Sequence, residues 1–253
     1  MQVVKTSHEF KALRKNICKE KKVGYVATMG NLHIGHSSLI TQSIADNDLT
    51  VVSIFVNPTQ FNQTKDFNNY PRTLDADLEL LKSLNVDYCF LPSGADMYTR
   101  ALEFFIDELK SSQIMEGKYR PGHFRGMLTV VMKLLNIIRP HRAYFGEKDY
   151  QQLLLIKSMA QDLFLDVTII SCPTIRSKQG LAHSSRNNCL TTHQTKLAEQ
   201  FANILISSQS CAQARHALEQ LNIKVDYLEE HWQRRFAAVW IDEVRLIDNI
   251  LLC

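Results

Sequence analysis

Short apolar runs alternate, along most of the chain, with segments in which apolar residues recur at helical spacing. The runs are rich in β-branched and aromatic residues, as buried strands are, and they cover residues 23–28, 49–56, 87–91, 142–146 and 166–171. Helical spacing covers residues 34–45, 73–84, 124–138 and 149–163. Strands that alternate with helices predict an α/β fold in which helices cover a parallel sheet. Ligands bind such sheets at the carboxyl ends of the strands.

Glycine and proline divide the chain into two parts. All nine glycines lie between residues 24 and 180, all six prolines lie between 58 and 173, and the last 73 residues contain neither. This break predicts two domains, 1–176 and 177–253, of which the second is a small α+β domain. The second domain is expected to contain helices over 191–208 and 210–221 and strands over 235–240 and 244–248.

Composition narrows the class of protein. With 45% apolar and 22% charged residues among 253, the chain has ample material for a folded core. The net charge of +3 is too small to indicate a nucleic-acid surface, and no apolar run approaches the roughly 18 residues of a membrane span. The first residues contain no apolar leader segment. We therefore expect a cytoplasmic protein that binds neither nucleic acid nor membrane, with its six scattered cysteines reduced.

The segment M-G-N-L-H-I-G-H at residues 29–36 follows the first of these predicted strands and contains two histidines three positions apart. On a helix that begins near Ile34, His33 and His36 lie on the same side, at the end where anions are stabilised. Gly35 lets a nucleotide approach the backbone. A zinc site would need a third ligand and a base, and no H-E-x-x-H or cysteine cluster supplies them. A nucleotide phosphate is therefore the favoured ligand, and a purely structural histidine pair is the alternative.

Three further polar residues, Arg120, His123 and Arg125, lie around Pro121-Gly122 at the predicted start of a helix. This position suits the binding of an anion. Helix capping and packing against the wall of a site is an equally good interpretation, so the sequence leaves both open.

The H-I-G-H sequence resembles the signature of the nucleotidyltransferase superfamily, whose catalytic domain is Rossmann-like. Further segments resemble successive motifs of one of its families, the pantothenate synthetases (pantoate–β-alanine ligases). They are S-I-F-V-N-P-T-Q-F (53–61), Y-P-R-T-L-D-A-D (70–77), E-G-K-Y-R-P-G-H-F-R-G (116–126), A-Y-F-G-E-K-D-Y-Q-Q-L (143–153) and G-L-A-H-S-S-R-N (180–187). The similarity resumes at V-D-Y-L-E (225–229) and R-L-I-D-N (245–249). The chain is identified as a member of this family.

The resemblance implies an ATP-dependent ligase: ATP and pantoate form pantoyl adenylate and pyrophosphate, and β-alanine then displaces AMP to give pantothenate. His36 is implied as the main catalytic group at the reacting phosphate, with His33 as its support. Lys148 and Arg186 are implied as cations on the phosphates. The ATP site of the family corresponds here to Met29, Gly30, Asn31, Leu32, His33, Ile34, Gly35, His36, Gly146, Glu147, Lys148, Asp149, Ile175, His183, Ser184, Ser185 and Arg186.

Gln60 and Gln152 correspond to the glutamines with which the family holds pantoate, and Gln60 also to a β-alanine contact. An uncharged amide can hydrogen-bond a carboxylate or a hydroxyl group without repelling an anion. The family further implies Mg²⁺ held mainly by the ATP phosphates, so that no protein residue is assigned as a metal ligand. It also implies a homodimer, and a second domain that is lid-like and shortened relative to the family.

The chain departs from the family pattern at two positions near the motifs. Ala27 stands where proline commonly precedes T-M-G, and His183 stands where methionine or leucine is usual. Neither change removes a residue with an implied role. Two alternative functions are a nucleotidyltransferase for a phosphorylated substrate, which has no use for the pair of glutamines, and a nucleotide-binding protein without catalysis.

Overall fold

The computed structural model describes residues 1–18, 20–100 and 102–252. The chain separates into two compact units. The first unit contains Met1–Gly146 and Gln151–Cys172, and the second contains Glu147–Tyr150 and Pro173–Cys253. A short piece of chain thus belongs to the second unit although the first unit surrounds it in sequence. The functional division after residue 176 stays a prediction, since compactness alone does not define a domain that works separately.

Among the described residues, six parallel strands form the sheet of the first unit. They are β1 (Gln2–Val4), β2 (Val23–Thr28), β3 (Leu49–Ile54), β4 (Tyr88–Phe90), β5 (Arg142–Gly146) and β6 (Thr168–Cys172). Their order in the sheet is β1-β4-β3-β2-β5-β6. From β2 the chain winds outwards through β3 and β4, and it then crosses back to place β5 on the other side of β2. The carboxyl ends of β2 and β5 therefore flank the point at which the winding reverses, where α/β sheets bind ligands.

Eight helices accompany these strands in the part of the chain that the structure describes. They are α1 (Ser7–Asn16), α2 (Ile34–Asp46), α3 (Thr64–Asn69), α4 (Leu74–Ser83), α5 (Gly94–Met97), α6 (Glu116–Tyr119), α7 (His123–Ile138) and α8 (Tyr150–Asp162). Shorter 3₁₀ turns occur at Pro58–Gln60, Ser111–Gln113, Glu147–Asp149 and Ser185–Cys189. The apolar core on one face of the sheet packs Ile40 of α2 against strand residues such as Val26 and Val52. Burial of these residues supplies the main stabilisation of the sheet.

The alternation of strands and helices confirms the predicted α/β fold with its parallel sheet. The strand predicted over 49–56 ends earlier, at Ile54, because the chain turns into the 3₁₀ turn that Pro58 begins. The sequence pattern missed β1 and α1. The strand β1 has only three residues, and α1 buries only Phe10, so neither produces a clear periodicity.

Up to residue 252, where the description ends, the second unit contains two helices and an antiparallel sheet. The elements are α9 (Thr192–Ser207), α10 (Cys211–Gln220), β7 (Lys224–His231), β8 (Arg234–Ile241) and β9 (Val244–Leu251), and the strand order is β7-β8-β9. Both helices and the last two strands confirm the prediction, whereas β7 was missed. Its turn into β8 uses Trp232 and Gln233 in left-handed conformations, without the glycine or asparagine that usually marks such a turn.

No helix within residues 1–18, 20–100 and 102–252 is both long and apolar enough to cross a membrane.

Candidate active site

The loop that follows β2 is shaped by two residues in left-handed conformations, Gly30 (φ 81°) and Asn31 (φ 49°). The carboxylate of Asp77, only 3% exposed, holds this loop: Oδ2 accepts the N–H of Asn31 at 2.9 Å and Oδ1 accepts that of Leu32 at 2.8 Å. A Cβ atom at position 30 would lie 3.0 Å from Asp77 Oδ2 and 3.2 Å from a methyl group of Ile54. Both the backbone angle and the available space therefore require glycine here.

His33 and His36 cap the helix that follows, and the predicted helix start near Ile34 is confirmed. His33 Nδ1 accepts the backbone N–H of Gly35 at 3.1 Å, and His36 Nδ1 accepts that of His33 at 3.3 Å. A ring nitrogen that accepts an N–H carries no proton, so in this geometry the proton of each ring is on Nε2. Each ring therefore has an N–H donor beside the N-terminus of α2, where anions are stabilised. Capping uses Nδ1 and phosphate binding would use Nε2, so the two roles are compatible.

Gln60 ends the 3₁₀ turn after β3 and is 8% exposed. Its Nε2 donates to Met29 Sδ at 3.1 Å, and its Oε1 accepts from Asn57 Nδ2 at 3.1 Å. A thioether is a weak acceptor, so the amide can exchange it for a better partner at little cost. The structure thus brings one predicted pantoate-binding residue next to the first residue of the predicted ATP loop.

The backbone of Gln60 is held by α7. The Nδ1–H of His123 donates to the Gln60 carbonyl oxygen at 2.8 Å, and Asn57 Nδ2 donates to the carbonyl of Gly126 at 3.2 Å. A Cβ atom at position 126 would lie 2.1 Å from the carbonyl oxygen of Thr59, so only glycine allows this approach. The buried His123 therefore positions Gln60.

The other two residues of the predicted polar cluster are also engaged in the protein. Arg120 lies 3.4 Å from His123 Nε2 and 3.5 Å from the carboxylate of Glu116, and Arg125 pairs with Asp107 at 2.8 Å. These contacts favour capping and packing over anion binding for the cluster. The sequence could not distinguish the structural interpretation from the anion-binding one, because both roles place basic residues at the start of a helix.

Adjacent glutamines on α8 have different environments. Gln151 is 4% exposed; its Nε2 donates to the carbonyls of Ser111 and Ile114, and its Oε1 accepts the N–H of Glu116. Gln152 is half-buried, and its side chain has no hydrogen-bond partner within the described part of the chain. Gln151 therefore serves the fold, and Gln152 is the one that can bind a ligand.

In the second unit, the turn Glu147–Asp149 carries Lys148. Its Nζ lies 3.3 Å from Asp149 Oδ1, and the two side chains are 17% and 46% exposed. Solvent weakens this ion pair because the carboxylate of Asp149 is so exposed. The ammonium group of Lys148 can therefore leave it and pair with a more strongly charged group.

The predicted ATP-site residues between positions 175 and 186 are brought together in the same unit by a short hairpin. The carbonyl of Ile175 accepts the N–H of His183 at 3.0 Å, and the chain then enters the 3₁₀ turn Ser185–Cys189. Ser184 caps this turn by accepting the N–H of Arg186 at 3.3 Å, and Arg186 Nη1 donates to the carbonyl of Arg245 at 3.4 Å. Hydroxyl, backbone and guanidinium donors are thus collected over three consecutive residues.

Two titratable groups near the loop anchor and the Gln60 turn are unsuited to act as bases. Burial, reinforced by the charge of Asp77, raises the pKa of Cys89 to about 12. Burial also raises the pKa of Tyr98, whose hydroxyl donates to Asn57 Oδ1 at 2.6 Å. Both groups remain protonated at neutral pH and support the site structurally. Among the residues described, no group of three His, Cys, Asp or Glu side chains could hold a metal ion.

Sequence reasoning missed three residues that shape these sites: Asp77, Arg234 and Asn249. Asn249 Nδ2 donates to the carbonyls of both Glu147 and Lys148. Two of the three lie in segments that resemble family motifs, Y-P-R-T-L-D-A-D and R-L-I-D-N. Position within a motif was their only sequence signal, because a residue that supports a loop has no chemistry of its own to recognise.

A parallel sheet that reverses its winding beside β2, followed by a glycine loop and a helix N-terminus with two imidazole donors, defines an α/β nucleotide-binding protein. The family model described as pantoate-beta-alanine ligase matches residues 2–251, and the chain belongs to that family. This agrees with the resemblance of the sequence motifs.

Relatives named pantothenate synthetase align along nearly the whole chain. The protein from Legionella pneumophila (strain Corby) is 52% identical over 252 residues, covering 100% of both chains. The protein from Coxiella burnetii (strain RSA 493) is 47% identical, covering 98% of this chain and 96% of its own. The compact C-terminal part is therefore shared with these relatives.

Solved structures give the same result. The pantoate-beta-alanine ligase of Francisella tularensis, complexed with beta-gamma ATP and beta-alanine, superposes with a TM-score of 0.96 at 43% identity, covering 99% of this chain and 97% of its own. Pantothenate synthetase of Thermus thermophilus superposes with a TM-score of 0.92 at 36% identity, covering 99% of both chains. These similarities confirm both the fold and the family.

Proposed function

We propose that this chain joins pantoate to β-alanine through a pantoyl adenylate. A pantoate carboxylate oxygen attacks the α-phosphorus of ATP, the bond to the bridging oxygen of the β-phosphate breaks, and pyrophosphate leaves. The amine of β-alanine then attacks the acyl carbon, loses its proton as the amide forms, and displaces AMP. Family membership over residues 2–251 is the observation that carries this proposal.

The first step brings a carboxylate up to a highly charged nucleotide, so it needs positive charge and fixed donors. His36 donates from Nε2 to the reacting phosphate, and His33 supports it from the adjacent cap. Lys148 and Arg186 neutralise charge on the phosphates. The capping geometry supports these roles because it orients both rings through their Nδ1 atoms at the N-terminus of α2.

The backbone N–H groups of the loop and the hairpin complete the proposed ATP site. We assign to it Met29, Gly30, Asn31, Leu32, Ile34, Gly35, Gly146, Glu147, Asp149, Ile175, His183, Ser184 and Ser185. Mg²⁺, when bound with ATP through the phosphate oxygens, would shield their charge. Asp149 carries an acidic side chain that is 46% exposed and would be able to meet the hydrated ion.

Pantoate is held by the amides of Gln60 and Gln152. The weak Met29 contact of one amide and the unpartnered state of the other, among described residues, support this assignment. Gln60 also contacts β-alanine. Amides suit both ligands because they can donate to a carboxylate and accept from a hydroxyl or an ammonium group.

Three broader features belong to the same proposal. The region 177–253 acts as a lid-like domain, and the enzyme works in the cytoplasm, where ATP is supplied.

The enzyme is a homodimer. The apolar side chains of Phe104 and Leu109, each 87% exposed, support this assignment. Large apolar side chains that are this exposed are common in contacts between subunits. Phe104→Asp should then shift the sedimentation coefficient towards that of a monomer.

Pantoate-dependent exchange of labelled pyrophosphate into ATP tests the first step, and AMP release on addition of β-alanine tests the second. Exchange that requires pantoate alone would exclude a nucleotidyltransferase for a phosphorylated substrate. Release of AMP would exclude a nucleotide-binding protein without catalysis. Absence of both activities in the folded protein would reject the proposed function.

A further inference from the structure

The turn that carries Lys148 is held by polar contacts that the core of the second unit does not explain. That core is built chiefly from α9, α10 and β7–β9, and among the described residues it includes none from 147–150. Apolar packing therefore stabilises the unit without the turn. Stabilisation of the core therefore does not explain the polar contacts that attach the turn to β9.

Asn249 makes the most direct of these contacts. Its Nδ2 donates to the carbonyl oxygens of Glu147 and Lys148, at 2.9 Å in each case. Its Oδ1 accepts from Arg234 Nη1 at 2.9 Å, and the residue is 2% exposed. Asn249 thus uses its amide group to hold the two peptide groups that flank Lys148.

Arg234 closes the network around the turn. Its Nη2 pairs with Glu147 Oε2 at 2.6 Å, and its guanidinium group lies 4.1 Å from the ring centroid of Tyr150. The cost of this arrangement is visible in Arg234 Nε, which is buried without a hydrogen-bond partner within the described chain. A network selected for stability alone would not keep such a group.

The same strand also holds the second cation. The carbonyl of Arg245 on β9 accepts from Arg186 Nη1 at 3.4 Å. Asp248, next to Asn249, forms a two-point ion pair with Arg176 at 2.6 and 2.9 Å, which anchors the hairpin that leads to Arg186. Positions 245 and 249 are about 13 Å apart along an extended strand. A single strand thus sets the positions of both cation-bearing segments.

We propose that Asn249, supported by Arg234, is a positioning residue for adenylation: through the backbone of the turn it fixes Lys148 relative to Arg186. This inference rests on the proposed function, because it assigns Lys148 to the phosphates. Asn249 itself touches no substrate and acts only through the backbone of the turn. Loss of its amide should let Lys148 drift, and errors of about 1 Å cost up to about 100-fold in rate.

The test is a double-mutant cycle on the full chain, followed by pantoate-dependent pyrophosphate exchange. Asn249→Ala should lower the exchange kcat roughly 10–100-fold and change the KM for pantoate by less than about twofold, the usual limit of additivity error. Asn249→Asp should be worse, because it turns a carboxylate towards two carbonyl oxygens. In a Lys148→Ala background, Asn249→Ala should cost less than about twofold more.

The inference would be overturned if Asn249→Ala lowered kcat equally in the wild type and in Lys148→Ala. It would also be overturned if Lys148→Ala were as active as the wild type. Val239→Ala is the matched control, since Val239 is fully buried in the core of this unit and takes no part in the network. It should lower the melting temperature without the kcat loss of Asn249→Ala. A comparable loss of kcat in this control would assign the effect to stability alone.

Hydrogen exchange separates failure of the inference from failure of the proposed function. If the wild type shows no pantoate-dependent exchange of pyrophosphate into ATP, the proposed function fails. Faster amide exchange confined to residues 147–150 in Asn249→Ala would still support the hold on the turn. Unchanged hydrogen exchange at the amides of residues 147–150 would reject the inference, whatever the catalytic activity of the variant.

Discussion

His36→Ala tests the central assignment because this substitution removes two separable interactions. One is the Nε2–H donor proposed for the reacting phosphate, and the other is the Nδ1 acceptor that holds the N–H of His33 at 3.3 Å. Loss of one donor that acts in the transition state costs roughly 10²–10³ in kcat. Loss of the capping bond costs about 1 kcal/mol, which for a chain of this size lowers the melting temperature by about 2–4 °C.

A second substitution at the same position separates the two effects. Glutamine at the third position of a helix can accept the N–H of the capping residue, so His36→Gln should recover most of the lost melting temperature. It should not recover the pyrophosphate exchange rate, because the imidazole donor is still absent. An exchange rate near that of the wild type in His36→Ala, measured at a temperature where the variant is folded, would show that the residue is only a cap.

Three other predictions concern neighbouring groups. Gln60→Glu should raise the KM for pantoate much more than that for ATP, because it opposes two anions; equal increases would place the residue elsewhere. Gln152→Ala should raise the KM for pantoate with little change in melting temperature. Gln151→Ala leaves the buried N–H of Glu116 and two part-buried carbonyls without their partner, so it should cost about 1–3 kcal/mol of stability. The reverse pattern would exchange their roles. Asp77→Asn should lose one charge-assisted bond to the loop, about 1.5–3 kcal/mol, and raise the KM for ATP; an unchanged KM would show that the loop does not need this anchor.

The local pattern was informative wherever a single element carried the signal. The β-branched runs predicted five strands of the parallel sheet, since a strand buried on both faces must be apolar throughout. The start of α2 could be placed within a residue because His33 and His36 use the same side of the helix that they cap. Elements that bury little, such as β1 and α1, produced no such signal.

The sequence by itself determined the fold class, the two helices of the C-terminal part, and the residues whose chemistry can serve adenylation. Only the tertiary structure decided which polar residues support others. Gln151 and Gln152 are indistinguishable in sequence, and burial against the Ser111–Glu116 segment separates them. Asp77 and Asn249 act on backbone groups 45 or more residues away, and such a contact depends on the path of the chain. The physical reason is that side-chain type sets what a group can bind, whereas its partner is set by long-range packing, which no local pattern records.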